Sequence, residues 1–211
     1  MESARNNILA KLKAAQEKRG EVGENIPDFT SPVYLPLNPS LREEFKTNLE
    51  LIGGQVIFCD TKNEIAAQVK LICEEKKQDK IFCVDPVFQS MMEDSVKIDS
   101  GENDFLSLTI GMTGCEFLVA HLGSVLISSA QISGRRLNVF PETHIVVAHE
   151  VQIVDYLDNA LEKMQEKYKN KLPSLISNIT GPSRTADIEK TLVMGMHGPK
   201  SLIVIIANTT F

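Results

Sequence analysis

A polar turn in the C-terminal third of the chain combines the residue types that bind anions. It follows an apolar run at residues 175–179 and precedes helix-like apolar spacing, so the pattern predicts a strand, a tight turn and a helix over residues 185–194. A helix N-terminus beside an arginine offers backbone N–H groups and a fixed positive charge to a carboxylate or a phosphate. The ligand-binding candidates in this turn are Gly181, Ser183, Arg184 and Thr185.

A second candidate centres on Glu116, in the middle of the chain. Residues 111–114 read as a tight turn, in which Thr113 and Gly114 are expected to present polar groups to a ligand. Glu116 then enters an apolar run at residues 117–120, so we expect its carboxylate to be partly desolvated, which suits a catalytic base or nucleophile. The alternative is a structural glutamate that caps the next element or pairs with an arginine.

Three further loops supply candidate ligand-binding residues. They contain a glycine that permits close backbone approach, a serine that can donate, a tandem arginine pair behind a second glycine, and a histidine. The residues are Gly123, Ser124, Gly134, Arg135, Arg136 and His197. Tandem arginines favour bidentate recognition of a carboxylate or phosphate. The alternative is one arginine in an internal ion pair and the other in solvent, with a structural role for the histidine.

Composition and spacing exclude several classes of protein. The 211 residues carry a net charge of −6, which argues against general nucleic-acid binding. The four cysteines show no CxxC spacing and no His, Cys, Asp or Glu grouping has metal-ligand spacing, so we expect buried thiols, no metal and no other cofactor. No apolar run approaches the roughly 20 residues that span a bilayer, and the N-terminus has no apolar signal core, so the expected location is the cytoplasm without membrane attachment.

Alternating helical and strand-like segments predict an α/β fold with an open, mostly parallel or mixed sheet flanked by helices. The expected helices are residues 40–52, 61–76, 85–91, 155–169 and 185–194, the first two opened by capping boxes. The expected strands or apolar runs are residues 55–59, 81–84, 105–110, 117–120, 124–128, 144–148, 176–180 and 201–207. The stretch from residue 105 to residue 148 has few helices, so part of the sheet there is expected to be antiparallel or mixed.

The first 40 residues differ from the rest of the chain. Residues 3–19 read as a charged helix with a narrow apolar stripe, and residues 20–40 are rich in proline and glycine, as in an extended linker. We therefore expect an N-terminal helical arm and linker at residues 1–40 and a single α/β domain at residues 41–211. The arm would dock on a partner or on another copy of the chain, giving a homo-oligomer; the alternative is a mobile tail.

Residues 180–189 and 195–199 together resemble the LUD-domain family, and its lactate-utilisation protein C group in particular. The segment around Glu116 and the stretch from Gly134 to the apolar run at residues 144–147 support the resemblance, which covers roughly residues 45–207. The resemblance implies a fold like that of the CoA-transferase and ribose-5-phosphate isomerase superfamily. It also implies a role in oxidising L-lactate to pyruvate beside iron–sulfur partner subunits, which would carry the electron transfer because this chain lacks cluster cysteines.

Three functions follow as hypotheses. The first is an accessory subunit of L-lactate utilisation that binds a small carboxylate or other anion at the loops after the strands. The second is a stand-alone enzyme for a phosphorylated or acyl-CoA substrate, with Glu116 as the catalytic carboxylate. The third is a non-catalytic scaffold or regulator. Where relatives commonly show Ala-Glu-Thr-Gly, this chain has His121 in place of the glutamate, which leaves Glu116 as the acidic candidate.

Overall fold

The computed structural model describes residues 2–18, 34, 36–37, 40–101, 108–169, 171–188 and 191–208. The chain divides into two compact units, residues 1–36 and 37–211. The first contains helix α1 (Glu2–Lys18), which confirms the helix expected there, and its Ile8, Leu9 and Leu12 side chains are exposed. Most of the expected linker lies outside the described residues.

The second unit alternates helices and strands. Its helices are α2 (Leu41–Leu51), α3 (Lys62–Glu75), α4 (Pro86–Met92) and α5 (Leu157–Lys167). Its strands are β1 (Gln55–Cys59), β2 (Lys80–Phe82), β3 (Lys97–Asp99), β4 (Ile110–Thr113), β5 (Phe117–Val119), β6 (Ser124–Ser128), β7 (Thr143–His149), β8 (Ile153–Val154), β9 (Ile176–Ile179), β10 (Arg184–Ile188), β11 (Thr191–Met194) and β12 (Ser201–Ala207).

A six-stranded parallel sheet in the order β1-β12-β7-β4-β2-β3 forms the centre of this unit. Its middle strands β12 and β7 are apolar almost throughout because helices or a second sheet cover both faces. One face packs on α3 and α4, and the other packs on α2 and the second sheet. The predicted α/β class with a mostly parallel sheet is therefore confirmed.

The stretch with few helices contributes β5 and β6 to a second, four-stranded sheet in the order β8-β5-β6-β9, whereas its β4 and β7 belong to the central sheet. The pairs β5–β6 and β6–β9 are antiparallel, as expected for this stretch, whereas β5–β8 is parallel. Its outer face packs on α5 through Ala160 and Met164. The sequence did not predict that these strands leave the central sheet, because the separation of two sheets depends on their packing and not on local pattern.

Local capping signals placed the helix starts correctly. Ser40 and Thr61 accept hydrogen bonds from the backbone N–H groups three residues later, and Asp85 accepts one from the N–H of Val87. These contacts replace bonds that the first turn of a helix lacks. The four cysteines are free and buried, as expected.

The helix expected over residues 185–194 is wrong. The structure has an antiparallel hairpin there, formed by β10 and β11, with Arg184 paired to Met194 and Thr185 to Val193. The turn before it therefore leads into a strand, and the helix N-terminus that was to bind an anion is absent from this described segment. Apolar residues four apart suggested a helix, but the β-branched Thr185 and Val193 suit a strand equally well.

The turn expected at residues 111–114 is also wrong. Gly111 and Thr113 lie inside β4, and a Cβ atom on Gly111 would come within 2.7 Å of the Pro141 ring. The glycine therefore serves close packing in the sheet. The strand expected at residues 105–110 begins at Ile110, and residues 105–107 lie outside the described part of the chain.

Candidate functional site

Five of the predicted ligand-binding residues line one cavity of about 500 Å³, which we call the arginine pocket. They are Arg135, Gly181, Ser183, Arg184 and His197. The pocket runs along β9, whose Ser177 and Ile179 also line it. Among the described residues that line it there is no Asp or Glu, so the pocket offers two guanidinium groups without an internal counter-charge and suits an anion.

The turn that opens the arginine pocket is fixed by backbone contacts. Gly181 has a φ of +78°, which favours glycine, and it lies against Ile52 at the end of α2. Ser183 donates its N–H to the Pro199 carbonyl and accepts the N–H of Gly195. The Ser183 hydroxyl also accepts the N–H of His197, so one serine joins the two loops that the sequence had marked separately.

Both arginines of the pocket also make protein contacts. The guanidinium group of Arg184 donates to the Ile52 carbonyl, and that of Arg135 donates to the Ser174 hydroxyl. Each contact uses one of the five N–H donors of a guanidinium group and orients the side chain. The remaining donors are then available for a bidentate bond to a carboxylate or phosphate.

A second cavity, of about 310 Å³, contains the predicted residues Thr113 and Gly114. It lies at the carboxyl ends of β2, β4 and β7, marked by Asp85, Thr113 and His149, and we call it the edge cavity. The carboxyl edge of an open parallel sheet is where ligands bind. The structure therefore divides seven of the predicted ligand residues between two cavities, five in the arginine pocket and two in the edge cavity.

A buried polar cluster lies between the two cavities. The Thr113 hydroxyl is 2.8 Å from Nε2 of His144 and 3.3 Å from Oδ1 of Asn138, which itself lines the arginine pocket. Burial lowers the pKa of His144 to about 4, so its imidazole is neutral at neutral pH. Asn138 was not predicted as a site residue from the sequence. Its only signal there is that it is a polar residue next to Leu137, and both side chains are buried.

Glu116, the predicted catalytic carboxylate, is only 1% exposed at its side chain and is not among the residues that line either cavity. Its Oε1 accepts from the Ser128 hydroxyl at 2.5 Å and from the Tyr168 hydroxyl at 2.7 Å, and its Oε2 accepts from Lys167 at 2.7 Å. Burial alone would raise the pKa of this carboxyl group, but the three hydrogen bonds outweigh it and lower the pKa. The surroundings are those of a structural, ionised glutamate, and the partners differ from the arginines considered above.

Comparison with known proteins identifies the family. The profile described as LUD domain matches residues 42–207. The chain belongs to the LUD domain family. "Lactate utilization protein C" of Bacillus velezensis is 31% identical over 160 residues, which cover 74% of this chain and 63% of that relative. The protein of the same name from Bacillus subtilis is 33% identical over 115 residues, which cover 52% of this chain and 48% of that relative. The chain thus matches less than two thirds of the length of these curated relatives.

One solved structure supports the architecture of this LUD domain. A DUF162 family protein from Deinococcus radiodurans superposes with a TM-score of 0.62 at 17% identity, covering 82% of this chain and 99% of that one. At this identity the likeness supports the fold alone. Among the described residues, no helix is both long and apolar enough to cross a membrane.

The remaining predicted residues of the LUD domain do not line either cavity. Gly123 and Ser124 lie against α2 and in the core, and the buried Ser124 hydroxyl has no hydrogen-bond partner among the described residues. Gly134 has a φ of +62° in the loop before Arg135, and Arg136 and Thr185 lie beside residues that line the arginine pocket. Within the described residues, no group of three or more His, Cys, Asp and Glu is placed to hold a metal ion.

Proposed function

We propose that this LUD domain takes part in L-lactate utilisation as an accessory subunit, and that it binds a small carboxylate in the arginine pocket. The names of the matched relatives support the process. The observation that carries the site is the convergence of Arg135, Arg184 and His197 from separate loops on one cavity without a carboxylate among its described lining residues. Iron–sulfur partner subunits, which the family resemblance implies, would then carry out the electron transfer.

The geometry favours this reading over a stand-alone enzyme that depends on Glu116. A base or nucleophile has to come within hydrogen-bond reach of its substrate. The Glu116 carboxylate is buried and its oxygens are bonded to three protein donors, so it offers no open position to a substrate. The chemistry of the arginine pocket is that of binding an anion.

The proposal is tested by calorimetric titration of the purified chain with L-lactate, pyruvate and inorganic phosphate. Binding of lactate or pyruvate in preference to phosphate supports the carboxylate site. A ligand at 100 times its dissociation constant also stabilises the folded state by about 2.7 kcal/mol, which a thermal-unfolding scan detects. Absence of binding by both acids, or tighter binding of phosphate, would contradict the carboxylate assignment.

Arg135→Ala is expected to weaken carboxylate binding by roughly 1.5 to 3 kcal/mol, the usual contribution of a hydrogen bond to a charged group. The measurement is the dissociation constant from the same titration. Arg136→Ala is the matched control, because Arg136 is the adjacent exposed arginine and is not among the residues that line the pocket. An equal loss of carboxylate affinity in the two variants would mean that general positive charge, and not the pocket, attracts the ligand.

The partner assignment needs its own experiment. We expect the intact chain to co-purify with iron–sulfur subunits when they are co-expressed. Deletion of residues 1–38, which include α1, separates the roles of the arm and of the α/β unit. If the deletion leaves oligomer mass and partner binding unchanged, the scaffold hypothesis loses its main support and the α/β unit carries the contacts.

A further inference from the structure

The edge cavity differs from the arginine pocket in charge. Its described lining contains one carboxylate, Asp85, and one imidazole, His149, and includes neither lysine nor arginine. Asp85 accepts the N–H of Val87 with Oδ1, and its carboxylate lines the cavity. A ligand with an anionic group would face the Asp85 carboxylate with no lysine or arginine among the described lining residues to offset the repulsion, so the chemistry selects against carboxylates and phosphates.

The polar groups of the edge cavity offer both acceptors and donors. The Ser133 hydroxyl is buried without a hydrogen-bond partner among the described residues. Such burial costs free energy unless a ligand or a water molecule forms the missing hydrogen bond. Gln131 accepts the Ser128 N–H with its carbonyl oxygen, while its amide nitrogen lies beside Gly114. Asp85 supplies a charged acceptor. A ligand group that both donates and accepts, or that donates strongly, satisfies this set.

The apolar side chains of the edge cavity suit a planar ligand. Phe88 packs its ring edge against Gly114, where an added Cβ atom would lie 3.5 Å away, and Val87 and Ile132 are half or more exposed beside it. At about 310 Å³ the cavity is at the lower end of the size range of small-molecule pockets. It accommodates a single planar ring with a polar substituent.

The topology places the edge cavity where the connections of the sheet diverge. The chain leaves β2 through α4 and returns to the sheet at β3, on one side of β2, whereas it leaves β4 into β5 and β6 of the second sheet and returns at β7, on the opposite side of β4. The gap between β2 and β4 is thus a topological switch point, where open α/β sheets form crevices for ligands. Asp85 lies in the loop after β2, and Thr113 is the last residue of β4.

We propose that the edge cavity is a second ligand site, distinct from the arginine pocket, for a planar compound that carries an amide- or amidine-type group. The polar group lies towards Asp85, Ser133 and Gln131, and the ring lies between Phe88 and Ile132. Because Asn138 of the arginine pocket and Thr113 of the edge cavity are hydrogen-bonded, the two sites share a wall.

Three probes of equal shape and different charge test the site: benzamide, benzamidine and benzoate. Titrations are followed by backbone amide chemical shifts, with Gly114 and Gln152 reporting on the edge cavity and Gly181 and Gly198 on the arginine pocket. We expect benzamidine and benzamide to shift the first pair of signals and benzoate the second pair. Absence of shifts at the first pair with both nitrogen probes, or an equal response to benzoate there, would overturn the proposal.

Asp85→Asn separates charge from shape, because asparagine retains the helix-capping oxygen and removes the negative charge. Benzamidine binding should weaken about tenfold, as expected when a charge-assisted hydrogen bond becomes a neutral one, while benzamide binding changes little. Asp158→Asn is the matched control, since it removes the same charge from the first turn of α5, outside the cavity lining. Unchanged benzamidine binding in Asp85→Asn, or equal weakening in both variants, would refute the assignment of the polar group to Asp85.

Discussion

Replacement of Gly123 by alanine should destabilise the LUD domain by at least about 4 kcal/mol, the largest single-residue effect that we expect. Gly123 has a φ of +58°, and an added Cβ atom would lie 2.2 Å from the backbone nitrogen of Leu49 and 2.5 Å from the carbonyl carbon of Asn48. Both are backbone atoms of α2, which cannot yield as the end of a side chain can. Helix α2 would have to separate from the loop between β5 and β6.

The contact that this substitution breaks is specific. The Asn48 side chain donates to the carbonyl groups of Ala120 and His121, and Leu49 is completely buried in the core between α2 and the second sheet. Displacement of α2 therefore costs hydrogen bonds and apolar burial together. The measurement is the free energy of unfolding from a denaturant titration, with retained cooperativity as the check that the variant folds.

Gly134→Ala is the matched control for Gly123→Ala. Gly134 has nearly the same φ, +62°, but an added Cβ atom meets nothing within 4 Å. Gly134→Ala should lower the free energy of unfolding only by the cost of placing an alanine in the left-handed backbone region, roughly 1 to 2 kcal/mol. Equal losses in the two variants would show that the close approach of α2 contributes nothing, and a tolerated Gly123→Ala would contradict the packing of this helix.

Gly123 also shows what the sequence can and cannot predict about the site. A glycine beside a serine correctly predicted a close backbone approach, but the approaching group is α2 and not a ligand. Local pattern reports that space is needed at a position, whereas the identity of the occupant depends on residues far away in the chain. The same limit applies to Glu116, whose three partners come from β6 and from the end of α5.

The arginine pocket was predictable in composition but not in geometry. In the sequence, the residues next to Arg135 and Arg184 indicated anion binding. The helix expected after the turn at Gly181, however, is a hairpin. The pairing of β9 with β6 brings the loop after β6, which carries Arg135, beside the residues before β9, whereas Arg184 follows β9 and donates to the Ile52 carbonyl. Strand pairing of this kind joins residues about 50 positions apart, and no local signal encodes it.

Glu116→Gln should lower the free energy of unfolding at neutral pH by about 3 kcal/mol. The amide keeps the size of the side chain but loses the charge that the Ser128 and Tyr168 hydroxyl groups recognise, and it places an N–H₂ group where donors already point. The Lys167 side chain is 54% exposed and can turn to water, so the loss comes mainly from the two buried hydroxyl contacts. Denaturant titration measures the change.

The stability that Glu116 contributes should depend on pH in a defined direction. The folded-state pKa of this carboxyl group is lowered, so its contribution is complete above the unfolded-state pKa, about 4.3 for a free glutamate. It is lost as the pH falls through the lower, folded-state value. The wild-type protein and Glu116→Gln should therefore converge in stability on acidification, and their difference should be constant around neutral pH.

Glu142→Gln is the control that distinguishes a buried from an exposed ion pair. Glu142 contacts Lys200 at 2.7 Å, the same distance as in the pair of Glu116 with Lys167, but both side chains are more than half exposed. Glu142→Gln should lower the free energy of unfolding by no more than about 1 kcal/mol. If Glu116→Gln folds as stably as the wild type yet abolishes lactate-dependent activity in the assembled system, the carboxylate is functional and its structural assignment is wrong. If stability falls and the residual folded protein binds carboxylates normally, Glu116 acts by holding α5 against the second sheet.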